Sequence, residues 1–188
     1  MEKTQKKGNY AFIDSQNLNL GTQKMGWKMD WRKFLAYLRK EYNVDKAYLF
    51  IGYVPGNEQM YEQLHEQGYL IVLKRTLEVK APENGNGNKE ESPKTMVKGN
   101  VDAELVLYAM KEMPNYDKAV IVSGDGDFFA LVEYLEQQKK LLHLMVPNWQ
   151  FSTLLKDYES YIVRIDKLRK QLAYRSFRKR QTGAKSES

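Results

Sequence analysis

The segment "KAVIVSGDGDF", residues 118–128, constrains the fold more than any other stretch of the chain. Ala119, Val120, Ile121 and Val122 form an unbroken apolar run, which suits a strand covered on both faces better than a strand half in water. Directly behind it stand Ser123, Gly124, Asp125, Gly126 and Asp127, and then a helical pattern that opens with Phe128 and Phe129. A strand buried on both faces requires helices above and below it, which points to an open parallel sheet. Asp and Gly are good turn formers, and an Asp at a helix start caps free N–H groups. Ligands of open α/β sheets also sit beyond the carboxyl ends of the strands. Two carboxylates there suit a hard divalent cation, because Mg²⁺ and Mn²⁺ prefer oxygen donors. The segment alone allows either role.

The rest of the chain alternates in the same way. "YAFID" (10–14) is a short strand ending in an acid, and "WRKFLAYLRKEY" (31–42) is a helix with Trp31, Phe34, Leu35 and Leu38 in step and Asp30 as its cap. Strand "KAYLFIGYV" (46–54), helix "NEQMYEQLHEQG" (57–68) and strand "YLIVLKR" (69–75) follow. The polar, Gly- and Asn-rich stretch that begins at residue 80 reads as a mobile loop, taken as 80–97. Beyond it come helix 101–113, strand 118–122, helix 128–138, strand "LLHLMV" (141–146), a short helix at 151–158 and an edge strand "SYIVRI" (160–165). Such alternation predicts a three-layer α/β/α sandwich around a parallel sheet, with right-handed crossovers. One domain over residues 9–165 and a basic tail over 166–188, helical at least to Tyr174, complete the expected organisation.

Composition removes several function classes. No cysteine is present, which excludes disulfides, thiolate zinc sites and cysteine nucleophiles. The two histidines, His65 and His143, are too few for a His-rich metal centre, and His143 lies within the apolar 141–146 run. No signal-peptide pattern and no apolar segment of membrane-spanning length is present, so a soluble, cytoplasmic protein with no membrane partner is expected. The net charge of +6 favours an anionic partner. Much of the excess falls late: Lys167, Arg169, Lys170, Arg175, Arg178, Lys179, Arg180 and Lys185 face only Glu187. That tail is either a solvated appendage or a nucleic-acid-binding arm.

Topology gathers the acids. Asp14 ends the first strand as Asp125 follows the fourth, so both belong at the carboxyl edge of the sheet. Asp102 and Asp127 open helices that should begin at that edge. Like charges at close range repel unless a cation neutralises them, so the convergence argues for a metal site.

Three segments, "FIDSQNLNL" (12–20), "KGNVDAELVLYAM" (98–110) and "IVSGDGDFFALVEYL" (121–135), together resemble the NYN branch of the PIN-like nuclease superfamily, near its LabA-like group. The resemblance implies a metal-dependent ribonuclease domain with strand order 3-2-1-4-5. It maps the catalytic, metal-binding acids onto Asp14, Asp102, Asp125 and Asp127, and matches Asn17 and Ser123 to the polar residues beside them. The first motif departs from the family's more frequent Asp-Gly-Glu-Asn, placing the amide Gln16 where an acid is common. The expected cofactor is Mg²⁺ or Mn²⁺ and the expected partner RNA, with self-association as a homo-oligomer left open.

Individual roles follow as expectations. Asp14 and Asp125 would be direct ligands, with Asp102 and Asp127 completing the site or holding metal-bound water. Asn17 and Ser123 would orient carboxylates or meet a phosphate, although Ser123 equally suits a turn hydroxyl. Lys98 is either a contact to the scissile phosphate or an ordinary solvated lysine. Trp149 in "VPNW" could stack on a base, but burial against the final helix is the commoner fate of a tryptophan. Trp27 and Trp31 are assigned to the core. An Asp-x-Asp after a buried strand also occurs in haloacid-dehalogenase-like phosphotransferases and in metal-dependent glycosyltransferases, but neither requires the other two motifs. An EF-hand spacing from Asp125 fails, because Phe129 and Ala130 occupy its ligand and glycine positions. The remaining rival is a PIN-like module that binds RNA or protein and does not cut.

Overall fold

The computed structural model describes residues 7–74 and 101–175 in full, and 77–79 and 96–98 by their backbone. Six strands form the central sheet: β1 (Asn9–Asp14), β2 (Val44–Gly52), β3 (Leu70–Lys74), β6 (Ala119–Val122), β7 (Leu141–Val146) and β8 (Ile162–Arg164). All are parallel and lie in the order β3-β2-β1-β6-β7-β8. Counted within this sheet alone the order is 3-2-1-4-5 with one further edge strand, as the sequence motifs implied. A separate antiparallel pair, β4 (Leu77–Val79) and β5 (Met96–Lys98), was not anticipated. It claims the end of the expected 80–97 loop, most of which lies outside the described residues.

The helices are α1 (Ser15–Lys24), α2 (Trp31–Tyr42), α3 (Glu58–Glu66), α4 (Asp102–Lys111), α5 (Phe129–Gln137) and the short α6 (Arg169–Leu172). Side-chain alternation along the strands divides the core in two. Ala11 and Ile13 of β1 join Leu18, Phe34, Leu38, Leu64 and Leu172 on one face. Tyr10 and Phe12 join Leu105, Ala109, Leu131, Leu135 and Leu155 on the other. The sheet therefore has α1, α2, α3 and α6 on one side and α4 and α5 on the other. That is the three-layer sandwich expected from the buried strands.

The connections reverse at the centre. After β1 the chain enters α1 and α2 on one face, whereas after β6 it enters α5 on the opposite face. Between two neighbouring strands whose exits diverge, a crevice opens at the carboxyl edge. Asp14 and the Ser123–Asp127 turn flank that crevice.

Two segments differ from their sequence reading. Residues 151–158 form no α-helix; a 3₁₀ stretch over Thr153–Tyr161 leads into β8 instead. The tail helix ends at Leu172, short of Tyr174, because Ala173 is extended and pairs antiparallel with Met29. Backbone bonds from Asp30 N–H to Leu172 O and from Tyr174 N–H to Lys28 O fasten this turn to the start of α2. Arg178, Lys179, Arg180 and Lys185 lie outside the described residues.

Candidate active site

Asp14 does two jobs. As the N-cap of α1 its Oδ1 accepts the Asn17 N–H at 3.0 Å, and its Oδ2 accepts the Ser123 hydroxyl at 3.3 Å. The residue is only 5% exposed. Burial is the main cause that pushes its carboxyl above the ordinary carboxylate range, against the Asn17 hydrogen bond that pulls it down. The charge of Asp102 adds to the rise, the Ser123 bond opposes it, and the charge of Asp125 adds again. Asp14, Asp102 and Asp125 thus share one electrostatic neighbourhood, although they are separated widely in sequence.

A chain of short bonds ties β1 to the turn after β6. Ser123, fully buried, donates to Asp14 and accepts the Asp125 N–H at 3.2 Å. The Asn17 side-chain carbonyl accepts the Gly124 N–H at 2.9 Å. Asp125 caps the 3₁₀ turn Gly126–Phe128 by accepting the Asp127 N–H at 3.1 Å. Ser123 thus joins the turn after β6 to the end of β1, and Asn17 joins the same turn to the start of α1. Capping accounts for part of the chemistry of Asp14 and Asp125. Asp102 is the first residue of α4, behind a Val101 that makes no side-chain cap.

The remaining sequence-selected residues distribute unevenly. Asp127 sits exposed at the rim and is not among the charges that act on Asp14. Lys98 ends β5, where it pairs with Leu77 through the backbone. Lys167, Arg169, Lys170 and Arg175 are all exposed beside α6. Trp149 is 54% exposed, so the expected burial against the last helix does not occur. Ile165 and Leu172 are the buried residues of the segment around the last helix. Trp27 is buried as expected, Trp31 packs partly buried against Phe34 and Tyr69, and His143 lies in β7 against the Tyr42 ring.

Sequence reasoning passed over three groups at this edge. Glu104, two residues after Asp102 in the first turn of α4, is paired with Lys74 at 2.9 Å. Asn148, buried after β7, donates from Nδ2 to Gly21 O at 3.0 Å. The third is α1 itself. It lies along the carboxyl edge: Ser15 and Gln23 line a cavity with Ile51 and Gly52 at the end of β2, while Gly21 meets Pro147 behind β7. The Asp14 cap with Asn17 three residues on was a legible start signal for it.

Oxygen donors at the convergence of Asp14, Asp102 and Asp125 match in type what Mg²⁺ or Mn²⁺ accepts. Among the described residues no three His, Asp or Glu side chains stand together at metal-ligand spacing, so the acids form no closed cage. Nor is any helix among the described residues long and apolar enough to cross a membrane.

Comparison with known proteins agrees with this architecture. The chain is 32% identical over 139 residues to the low amplitude and bright protein LabA of Synechococcus elongatus, a match covering 72% of this chain and 70% of LabA. Its fold is similar to the crystal structure of a protein of unknown function from Vibrio parahaemolyticus, with a TM-score of 0.67, 23% identity, and coverage of 93% of this chain and all of that one. Residues 10–166 match the NYN domain, and with that match spanning the whole sheet the chain belongs to the NYN-domain family.

Proposed function

We propose that this protein is a Mg²⁺- or Mn²⁺-dependent ribonuclease that hydrolyses phosphodiester bonds of single-stranded RNA. One observation carries the reading: a buried Asp14 at the switch point of the sheet, its carboxyl oxygens bonded to the Asn17 N–H and the Ser123 hydroxyl, with Asp102 and Asp125 near enough to push its pKa up alongside burial. Such an arrangement is costly for folding alone and useful to a site that takes up a cation. Membership of a family whose domains are typically nucleases supports the same conclusion.

In this reading Asp14 and Asp125 hold the ion, and Asp102 and Asp127 complete its surroundings or hold its waters. A bound divalent ion supplies an activated water and stabilises charge on the leaving oxygen. Ser123 and Asn17 fix the turn after β6 to the end of β1 and the start of α1, so the carboxylates that would hold the ion keep one geometry. The exposed cations Lys167, Arg169, Lys170 and Arg175 attract the polyanion to the protein.

The test is cleavage of an end-labelled single-stranded RNA with Mg²⁺ or Mn²⁺, comparing wild type with Asp125→Asn. The variant should fall to the background rate while keeping its melting temperature. A second reading, RNA binding without cleavage, draws on the absence of a closed acidic cage among the described residues and on Gln16 in place of the family's common acid. Wild-type protein that retains RNA but leaves it intact with both metals would establish that alternative.

A further inference from the structure

Trp149 is the feature of this edge that the acids do not explain. Single exposed apolar residues are ordinary on protein surfaces, but this ring is mounted on a turn braced from four sides. Asn148 Nδ2 donates to Gly21 O at 3.0 Å, and Asn148 Oδ1 accepts the Gln150 N–H at 2.7 Å. Ser152 N–H reaches Gly124 O at 2.9 Å, and Asp166 N–H reaches Pro147 O at 3.0 Å. The Arg164 guanidinium lies over the indole, 5.8 Å from its centroid, and is itself gripped by both oxygens of Asp166. A cation backs the ring while more than half of the residue stays open to solvent.

Beside this turn lies a cavity of about 180 Å³, lined by Asn17, Lys24, Gly124, Pro147, Asn148 and Gln150 among others. Its lining contains one cation, three amides and no acid. Asn17 and Gly124 belong to the bond chain that joins Asp14 to Asp125, so the cavity adjoins the acids. Trp149 stands between two of its lining residues.

We infer that the turn after β7 and the facing side of α1 form a nucleotide subsite, in which an unpaired base stacks on Trp149 and its backbone phosphate meets Lys24. This deepens the ribonuclease reading and rests on it for the choice of a nucleic acid, since the subsite specifies a single strand over a duplex. A paired base has no free face to offer the ring, and stacking accepts any base because each has a π-face. The amides of Asn148 and Gln150 then supply donors and acceptors at the base edge.

The experiment measures binding without cleavage. A 2′-O-methyl single-stranded oligonucleotide is titrated in EDTA, and intrinsic tryptophan fluorescence is followed. Trp27 is buried and Trp31 is partly buried, so quenching reports mainly on Trp149. Wild type should be quenched and Trp149→Phe should not, while the phenyl ring retains most of the affinity. Trp149→Ala should bind about tenfold more weakly, the lower part of the range for one stacked base. Lys24→Ala should flatten the salt dependence of binding by about 0.7. Abasic substitution in the strand should weaken wild type and leave Trp149→Ala unaffected.

Equal affinity of wild type and Trp149→Ala would overturn the subsite while leaving the ribonuclease reading intact. Equal quenching by a duplex would overturn it as well. Absence of quenching by every oligonucleotide would overturn it. Trp149-dependent binding by a protein that cuts nothing would support the subsite and sink the nuclease reading.

Discussion

Replacing Gly21 by alanine tests whether α1 is pinned to the turn behind β7. A Cβ built at Gly21 would be driven into the Cβ of Pro147 and would stand 2.9 Å from its Cγ. Neither side can recede freely. Gly21 O accepts the Asn148 side chain at 3.0 Å, and Pro147 is buried, with its carbonyl held by the Asp166 N–H. The proline ring also has no rotamer that swings its Cβ away. Overpacking of this kind costs about 1–3 kcal/mol, and so deep an overlap with a rigid ring belongs near the top of that range. Alanine inside a helix returns about 0.5–1 kcal/mol relative to glycine. The net loss is then about 2 kcal/mol, equivalent to about 4–8 °C in melting temperature for a chain of this size.

Calorimetry or far-ultraviolet circular dichroism on Gly21→Ala reads that loss directly. Combining it with Pro147→Gly, which removes the opposing Cβ, should recover part of it, so the two substitutions should be strongly non-additive. A Gly21→Ala protein that melts at or above the wild-type temperature would refute the reasoning. Helix propensity would then outweigh the contact, and α1 would be free to slide along the edge.

Asp14→Asn should abolish cleavage and raise the metal-free melting temperature at neutral pH. Because burial and the facing acids raise the Asp14 pKa, its contribution to stability is fully present below the ordinary carboxylate value and is lost as pH rises through the raised one. Melting curves in EDTA across the acidic range should therefore diverge with rising pH, the variant above the wild type; parallel curves would remove Asp14 from the electrostatic account. Deleting residues 176–188 removes Arg178, Lys179, Arg180 and Lys185 while sparing the Ala173–Met29 pairing. If three of these cations meet phosphates, the salt slope of RNA binding should drop by about 2, with cleavage at saturating RNA unchanged; an unaltered slope would make the tail a solvated appendage.

Much of this architecture was legible because its signals are local. The Ala119–Val122 run announced a strand covered on both faces, and Phe34, Leu35 and Leu38 announced the inner face of α2. That Asp14 and Asp125 share the carboxyl edge followed from alternation, whereas the adjacency of their strands was implied by the three NYN-like motifs. Helix α1 escaped notice because only Ser15, Leu18 and Thr22 are buried in it, too sparse a stripe to mark a helical period. Tertiary contacts and the Asp14 cap hold it instead. Trp149 was misjudged because burial depends on what reaches it, and the last helix turns away toward Met29. The β4–β5 pair joins residues separated by a polar, aperiodic stretch, and no local pattern links its two strands.

The shallow anchoring of α1 has an evolutionary consequence. Its outward positions, Gln16, Asn19, Leu20, Gln23 and Lys24, are all exposed, and they border the cavities on both sides of the helix. Substitution at such sites usually changes stability by less than about 0.5 kcal/mol. Leu18 and Thr22 hold the helix in place, and Asp14 and Asn17 tie its start to the turn after β6. Those five outward residues can therefore be exchanged without disturbing the core. The helix is a variable surface carried on a fixed frame.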